Sequence, residues 1–171
     1  MNRRDIVISL LILLGLGGVI YYRQKTRSTE ELRVPETLSS TEEVLEEKFN
    51  VDIPDDVDKA ELKDVSGGSA SAIATRKFEN NRFDQSVIAD LPEPEVGSFY
   101  QVWLYNGKLG VLNTGAQNPE MISTGKLRMT KAGWVLEYSS SQNLTNFNQV
   151  AVTKEKVDDN NPETQILEGS F

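Results

Sequence analysis

The chain has 171 residues and contains neither cysteine nor histidine. Without cysteine, a disulfide framework, a thiolate nucleophile and a cysteine-ligated zinc or iron–sulfur site are all excluded. Without histidine, Ser-His-Asp and Cys-His catalysis and histidine-ligated metals are excluded as well. The formal net charge of -8 at pH 7 disfavours nucleic-acid binding, because that function needs a basic surface to displace counterions from phosphate.

The charges that are present divide the chain into three blocks. Residues 1–27 hold five bases and one acid, residues 28–64 hold four bases and thirteen acids, and residues 65–171 hold nine bases and twelve acids. The pattern predicts a small basic head, a strongly acidic spacer and a nearly balanced domain. A chain of this length has room for one domain of ordinary size with appendages.

The head contains seventeen consecutive uncharged residues, 6–22, with basic residues on both sides. As a helix this run would span roughly 25 Å, slightly less than the ~30 Å hydrocarbon core of a bilayer. Tyr21 and Tyr22 would lie at the interface, which favours aromatic rings. We therefore predict a transmembrane anchor in residues 1–27. The alternatives are a cleaved signal peptide, for which the small-residue cleavage pattern is poor, and a buried core helix.

The spacer, residues 28–64, divides into two parts. Residues 28–38 are polar and acidic, which predicts little fixed structure. Residues 39–49 predict a short helix near 41–49, because Ser39 with Glu42 or Ser40 with Glu43 fits a capping box. We interpret the spacer as a solvated stalk that contributes little to the core, with an acidic partner-binding helix as the alternative. The aspartates at 52, 55, 56 and 58 lack the spacing of a calcium-binding loop.

From about Asp58 the chain consists of short segments rich in β-branched and aromatic residues, separated by turn residues. About eight strands are predicted, at residues 71–78, 83–90, 98–105, 108–114, 121–130, 134–139, 149–156 and 164–171. Asn80-Asn81 and Asn106-Gly107 are typical of tight hairpin turns. Both faces of the strand at 98–105 are apolar, so this strand is expected to be central. The spacing predicts an all-β fold, an antiparallel β-sandwich formed by residues 65–171.

One stretch of this domain resembles a known family. Residues 91–104, LPEPEVGSFYQVWL, resemble the Leu-Pro…Tyr-x-x-Trp-Leu segment of the C-terminal domain of anti-sigma-K factors, and residues 150–155 and 161–169 resemble its closing strands. The resemblance implies an extracytoplasmic β-sandwich carried by one membrane helix. In that family a cytoplasmic helical domain before the membrane helix holds the sigma factor. Here only residues 1–5 precede the uncharged run, so the resemblance does not extend to direct sigma-factor binding.

Orientation in the membrane depends mainly on this resemblance. Two arginines and the amino group precede the uncharged run and three bases follow it, so the positive-inside rule comes close to a tie. A short N-terminal end preceded by arginines can remain inside while a long domain translocates behind it. We therefore expect a single-pass protein of the cell membrane whose residues 28–171 lie outside the cytoplasm.

Enzymatic chemistry would require a carboxylate pair, since the other common groups are missing. The candidate acids are Asp84, Asp90, Glu93, Glu95 and Glu137. Glu137 lies among bulky neighbours, where burial would raise the pKa of its carboxyl. The alternative is a solvent-facing strand residue that pairs with Lys126 or Arg128. We predict no catalytic residue, no metal ligand and no cofactor, and hence no enzyme.

Three further patterns have competing structural explanations. Residues 158–161, DDNN, suggest a weak calcium loop or simply a polar hairpin loop. Residues 143–145, NLT, match a glycosylation sequon, a pattern that often occurs by chance. Five aromatic residues indicate either core packing or a sugar-stacking platform: Phe99, Tyr100, Trp103, Trp134 and Tyr138.

Together these features predict a membrane-anchored extracytoplasmic domain for interaction or sensing. Its partners would be the membrane, through residues 6–22, and another envelope protein, with a link to envelope signalling or sigma-factor regulation. The alternative is a small carbohydrate-binding module or a carboxylate-based hydrolase. A sandwich hosts either function, so the fold alone does not decide between them.

Overall fold

The structure is a computed structural model that describes residues 40–107 and 120–171. Three predictions lie outside these residues: the anchor at 6–22, the part of the spacer at 28–38 with little fixed structure, and the strand at 108–114. Within the two described ranges, no helix combines the length and the apolar character needed to cross a membrane.

The described residues form nine β-strands and one α-helix. The helix is α1 (Thr41–Phe49). The strands are β1 (Asp58–Asp64), β2 (Ser71–Glu79), β3 (Arg82–Asp90), β4 (Phe99–Tyr105), β5 (Met121–Lys126), β6 (Arg128–Thr130), β7 (Gly133–Ser140), β8 (Gln149–Glu155) and β9 (Thr164–Ser170).

All nine strands join one antiparallel sheet in the order β5-β4-β8-β9-β1-β2-β3-β7-β6. The two outermost strands, β5 and β6, are separated along the chain by Leu127 alone, so the sheet is nearly closed. Residues 121–126 pair with β4 and residues 128–130 pair with β7. The predicted strand at 121–130 therefore changes its partner midway, and the prediction of an antiparallel all-β fold is confirmed.

The β2–β3 hairpin shows how the sequence sets the register of this sheet. Nine residue pairs run from Ser71 opposite Asp90 to Glu79 opposite Arg82. The two turn residues, Asn80 and Asn81, have φ values of 52° and 61°, the left-handed conformation that a type I′ turn requires and that asparagine tolerates. The predicted tight Asn-rich turn is confirmed.

Alternate strand residues fill the interior of the sheet with apolar side chains. In β4 the inward residues are Tyr100, Val102 and Leu104, yet the outward-facing Trp103 and Tyr105 are only 3% and 1% exposed. The strand is buried on both faces, as its sequence predicts, whereas an ordinary surface strand buries only one face. It is an internal strand paired with β5 and β8, but it lies second from the end of the sheet order and not at its centre.

Helix α1 is also part of the folded body. The predicted capping box is formed by Ser40 and Glu43, each side chain accepting a hydrogen bond from the backbone N–H of the other. Leu45 is completely buried and packs with Ile53 and Ile73. The expectation that the spacer contributes little to the core is therefore wrong for its described part, because an amphipathic helix has an apolar face to cover.

Strand β1 was missed because its sequence, DKAELKD, is mostly charged. Only Ala60 and Leu62 point into the core, and both are buried. The strand is fixed by its neighbours on either side, β2 and β9. Gly169 of β9 permits a close approach here, since a Cβ at that position would lie 2.5 Å from the carbonyl oxygen of Glu61.

Candidate functional site

A groove on the described surface lies where the sheet fails to close. It has a volume of about 760 Å³ and lies between β5 and β7, beside β6. Residues 121–126 are paired with β4 on one side, and residues 136–140 are paired with β3 on one side. Among the described residues, neither segment is paired with a strand on its other side. We call this opening the seam groove; it is lined by Phe99, Thr124, Gly125, Lys126, Leu127, Arg128, Thr130, Val135, Leu136 and Glu137.

The seam groove arises from a bend at residues 125–127. Gly125 has a φ of 131°, a conformation open to glycine and strained for other residues. The register of β4 with β5 shifts between Val102 and Trp103, and the N–H of Leu127 donates to the Tyr100 carbonyl at 3.0 Å. These contacts hold the chain on β4 until Arg128, where it moves to β7. The chain consequently passes at this bend from one end of the sheet order to the other.

Below the groove the two edges are joined by side-chain packing. A Cβ on Gly125 would lie 3.2 Å from Leu136 Cδ1, so the absence of a side chain at 125 makes room for that leucine. Leu127 and Leu136 are both buried in the main core. The floor of the groove is therefore apolar and filled.

The outer rim of the groove is charged. Lys126 bonds Asp158 at 2.8 Å, and its Nζ lies 3.9 Å from the centre of the Phe99 ring. Arg128 and Glu137 are exposed, and within the described ranges neither forms an ion pair. The alternative in which Glu137 pairs with Lys126 or Arg128 is therefore not what the structure shows. Its exposed position also removes the hydrophobic environment that the catalytic interpretation required.

The other candidate acids are dispersed and mostly neutralised. Asp84 accepts hydrogen bonds from Ser139 and from Arg82, which lower the pKa of its carboxyl. Asp90, at the far end of the same strand, pairs with Lys48. Glu95 lies 3.5 Å from the ammonium of Lys154, and Glu93 is exposed. The structure does not bring these carboxylates together as an acid–base pair.

The aspartates considered as possible calcium ligands also have other partners. Asp55, Asp56 and Asp58 each form an ion pair, with Lys59, Lys77 and Arg76 respectively. In the loop after β8, Asp159 accepts the backbone N–H of Asn161 at 2.8 Å. Within residues 40–107 and 120–171, no group of three or more acidic side chains is placed to hold a metal ion.

One buried carboxylate was missed by the sequence analysis. Glu155, at the end of β8, is 1% exposed, and each of its oxygens lies 3.1 Å from the backbone nitrogen of Glu163. Burial raises the pKa of this carboxyl, the hydrogen bonds from Thr153 and Glu163 oppose the change, and the nearby Glu163 and Asp159 charges add to it. The available signal was that Glu155 shares a face of β8 with Ala151 and Thr153, which are also buried.

The five aromatic residues do not form one exposed platform. Tyr100 and Trp134 meet edge to face inside the sheet, with ring centres 5.3 Å apart, and Tyr138 meets Phe83 in the same way. Trp103 lies on the outer face, buried, with its indole N–H donating to Thr153 Oγ1 at 2.8 Å. Because these rings lie on opposite faces of the sheet, a single sugar cannot stack on all of them.

Comparisons with protein-family models, with curated proteins and with solved structures find no match for this chain. The resemblance of residues 91–104 to the anti-sigma-K family therefore stays a prediction.

Proposed function

We propose that this chain is a membrane-anchored, extracytoplasmic interaction domain of the β-sandwich type, which binds another envelope protein through its folded part. The observation that carries the proposal is the seam groove, where two strand edges and a charged rim lie over a filled apolar floor. Such a surface suits a polypeptide partner, because strand edges with no partner in residues 40–107 and 120–171 offer main-chain hydrogen bonds. The membrane anchor and the outward orientation rest on the sequence of residues 1–27 and on the family resemblance.

The placement of the candidate acids favours binding over hydrolysis. A glycosidase needs two carboxyl groups on opposite sides of one substrate bond, whereas Asp84 and Asp90 lie at opposite ends of β3 and are paired with Arg82 and Lys48. The separated aromatic rings likewise give no support to the carbohydrate-binding alternative. Regulation of a sigma factor would then be indirect, through the partner that the domain binds.

Partner capture tests the binding function directly. The full-length chain, tagged and expressed in its own cells, is cross-linked and recovered from solubilised membranes, with a mock sample that lacks it as the control. We expect one or a few envelope proteins to be enriched, and the enrichment to be lost when residues 40–171 are removed. Enrichment that persists after that removal would assign binding to the anchor and contradict the proposal.

Topology is tested by protease protection. Protease added to intact spheroplasts should digest the domain, because residues 28–171 are proposed to lie outside. Survival of the domain until lysis would place it inside, provided that the purified protein is digested under the same conditions.

A further inference from the structure

We propose that Gln85 of β3 is a water-binding site inside the sheet, where one ordered water molecule is hydrogen-bonded to both polar atoms of the side-chain amide. The site belongs to the folded body of the protein and does not depend on the proposed function.

The Gln85 side chain is buried without a hydrogen-bond partner. It alternates along β3 with the core residues Phe83 and Val87, so it points into the interior, and it is 3% exposed. Within the two described ranges, neither its Oε1 nor its Nε2 is bonded to a protein atom. A buried amide without partners costs free energy, and nearly all such groups in proteins are bonded to protein or to ordered water.

Arg76, which lies opposite Gln85 on β2, is held by other groups. Its Nε donates to Asp58 at 3.3 Å, and its Nη1 donates to the carbonyl oxygen of Phe147. Its guanidinium carbon lies 3.9 Å from the centre of the Phe171 ring. These three contacts fix the plane of the guanidinium, so that turning it towards the Gln85 amide would break them.

The other neighbours of Gln85 leave room beside it. Tyr138, opposite Gln85 on β7, packs its ring edge to face against Phe83, with ring centres 6.5 Å apart. Ala74, the next inward residue of β2, is diagonal to Gln85 and ends at its Cβ. The water occupies the space that this short side chain leaves, since a single water needs little volume and two or more polar partners.

The chemistry of the amide selects water as the ligand. A primary amide offers an acceptor oxygen and a donor nitrogen, so its partner must both donate and accept a hydrogen bond. The side chains around Gln85 belong to the main core, and protein interiors leave few voids larger than a water molecule. A water that donates to Oε1 and accepts from Nε2 satisfies both atoms.

Gln101 of β4 is the matched control. It is buried to the same extent, 3% exposed, but its Nε2 donates to Ser123 Oγ at 2.9 Å. The two glutamines therefore differ in whether the protein itself supplies a hydrogen-bond partner, and not in burial.

The test measures contacts between water and side-chain amide protons in the full-length chain in detergent, by water-selective NOESY and ROESY spectroscopy. A long-lived bound water gives cross-peaks of opposite sign in the two experiments, whereas proton exchange and brief surface hydration give the same sign in both. We expect opposite signs at the Gln85 amide and no water cross-peak at the Gln101 amide. Absence of the signal at Gln85, or equal signals at both glutamines, would overturn the proposal.

Tyr138→Phe separates a bound water from a hydroxyl proton that exchanges with the solvent, because such a proton on Tyr138 gives the same cross-peaks. We expect the signal at the Gln85 amide to persist in this variant. If the signal disappears while the amide resonances of β3 keep their positions, it came from the Tyr138 hydroxyl and the water site is wrong.

Discussion

The middle of the sheet and the seam are built from similar strands but closed in different ways. At β1-β2-β3 every strand is hydrogen-bonded on both sides, and α1 covers the outer face with Leu45 against Ile73. At the seam only three residue pairs join β6 to β7, and the preceding residues 121–126 pair with β4 instead. Closure beyond that point depends on side-chain packing. The difference indicates that hydrogen bonds on both sides fix the strand register in the middle of the sheet. At the seam, where fewer hydrogen bonds hold the strands, local opening costs less free energy.

The largest effect is expected where the helix covers the middle of the sheet. Leu45→Ala should lower the free energy of unfolding by about 2–5 kcal/mol, because it removes a completely buried side chain. Val44→Ala, one position along on the half-exposed side of α1, is the matched control and should cost much less. Urea unfolding followed by tryptophan fluorescence measures both. Equal losses would show that α1 is not packed as described.

A smaller effect is expected at the seam. Gly125→Ala should cost about 1–3 kcal/mol, since the new methyl group crowds Leu136 and the backbone is in a conformation strained for alanine. Gly97→Ala separates the two causes, because Gly97 also has a positive φ but open space around its Cβ position. If Gly125→Ala costs no more than Gly97→Ala in chemical unfolding, packing across the seam is not tight.

The helix cap should contribute less to the free energy of unfolding than the packing at Leu45 or Gly125. Ser40→Ala removes one half of the capping box and is expected to cost ~1 kcal/mol. The substitution should also increase hydrogen exchange at the first turn of α1, while leaving β2 and β3 protected. Glu47→Ala, an exposed change on the same helix, serves as the reference. A loss of protection across the whole sheet would mean that the cap controls more than its own helix.

The smallest expected effect is at Glu155, where a substitution should change how the stability of the protein depends on pH. Its pKa is raised above the ordinary 4.5, so the folded state holds the proton more tightly than the unfolded state, and stability falls as pH rises from 4.5 through the folded pKa. Glu155→Gln should therefore be relatively more stable than the native chain at pH 7.5, and the advantage should shrink as the pH approaches 4.5. An advantage that grows on acidification would contradict the buried-charge interpretation.

Much of the middle of the sheet was predictable because its signals are local. The Asn80-Asn81 turn and the capping residues at 40 and 43 each depend on a few neighbouring residues. The strands predicted at 71–78 and 83–90 differ from β2 and β3 by one residue at an end. Strand β1 escaped prediction because pairing on both sides outweighs the low strand propensity of its charged residues.

The seam was not predictable, because it depends on contacts between distant residues. The sequence of residues 121–130 contains no local signal that pairing with β4 ends at Leu127 and pairing with β7 begins at Arg128. This switch of partner depends on contacts with Tyr100 and Leu136. For the same reason Glu137 was a reasonable candidate for partial burial by its bulky sequence neighbours, and its exposure is known only from the structure. Glu155 was overlooked because its burial depends on the fold around the whole of β8.

The three-pair ladder between β6 and β7 also has a mechanical consequence. The two end strands of the sheet order, β5 and β6, are joined covalently through Leu127, and among the described residues β6 is hydrogen-bonded to β7 alone. If a force pulls β6 away from β7, the hydrogen bonds of this ladder would break one after another and not all at once. All the other ladders would remain intact. We expect the first rupture in a single-molecule pulling experiment across residues 128 and 135 to occur at low force and to convert the ring of strands into an open ribbon.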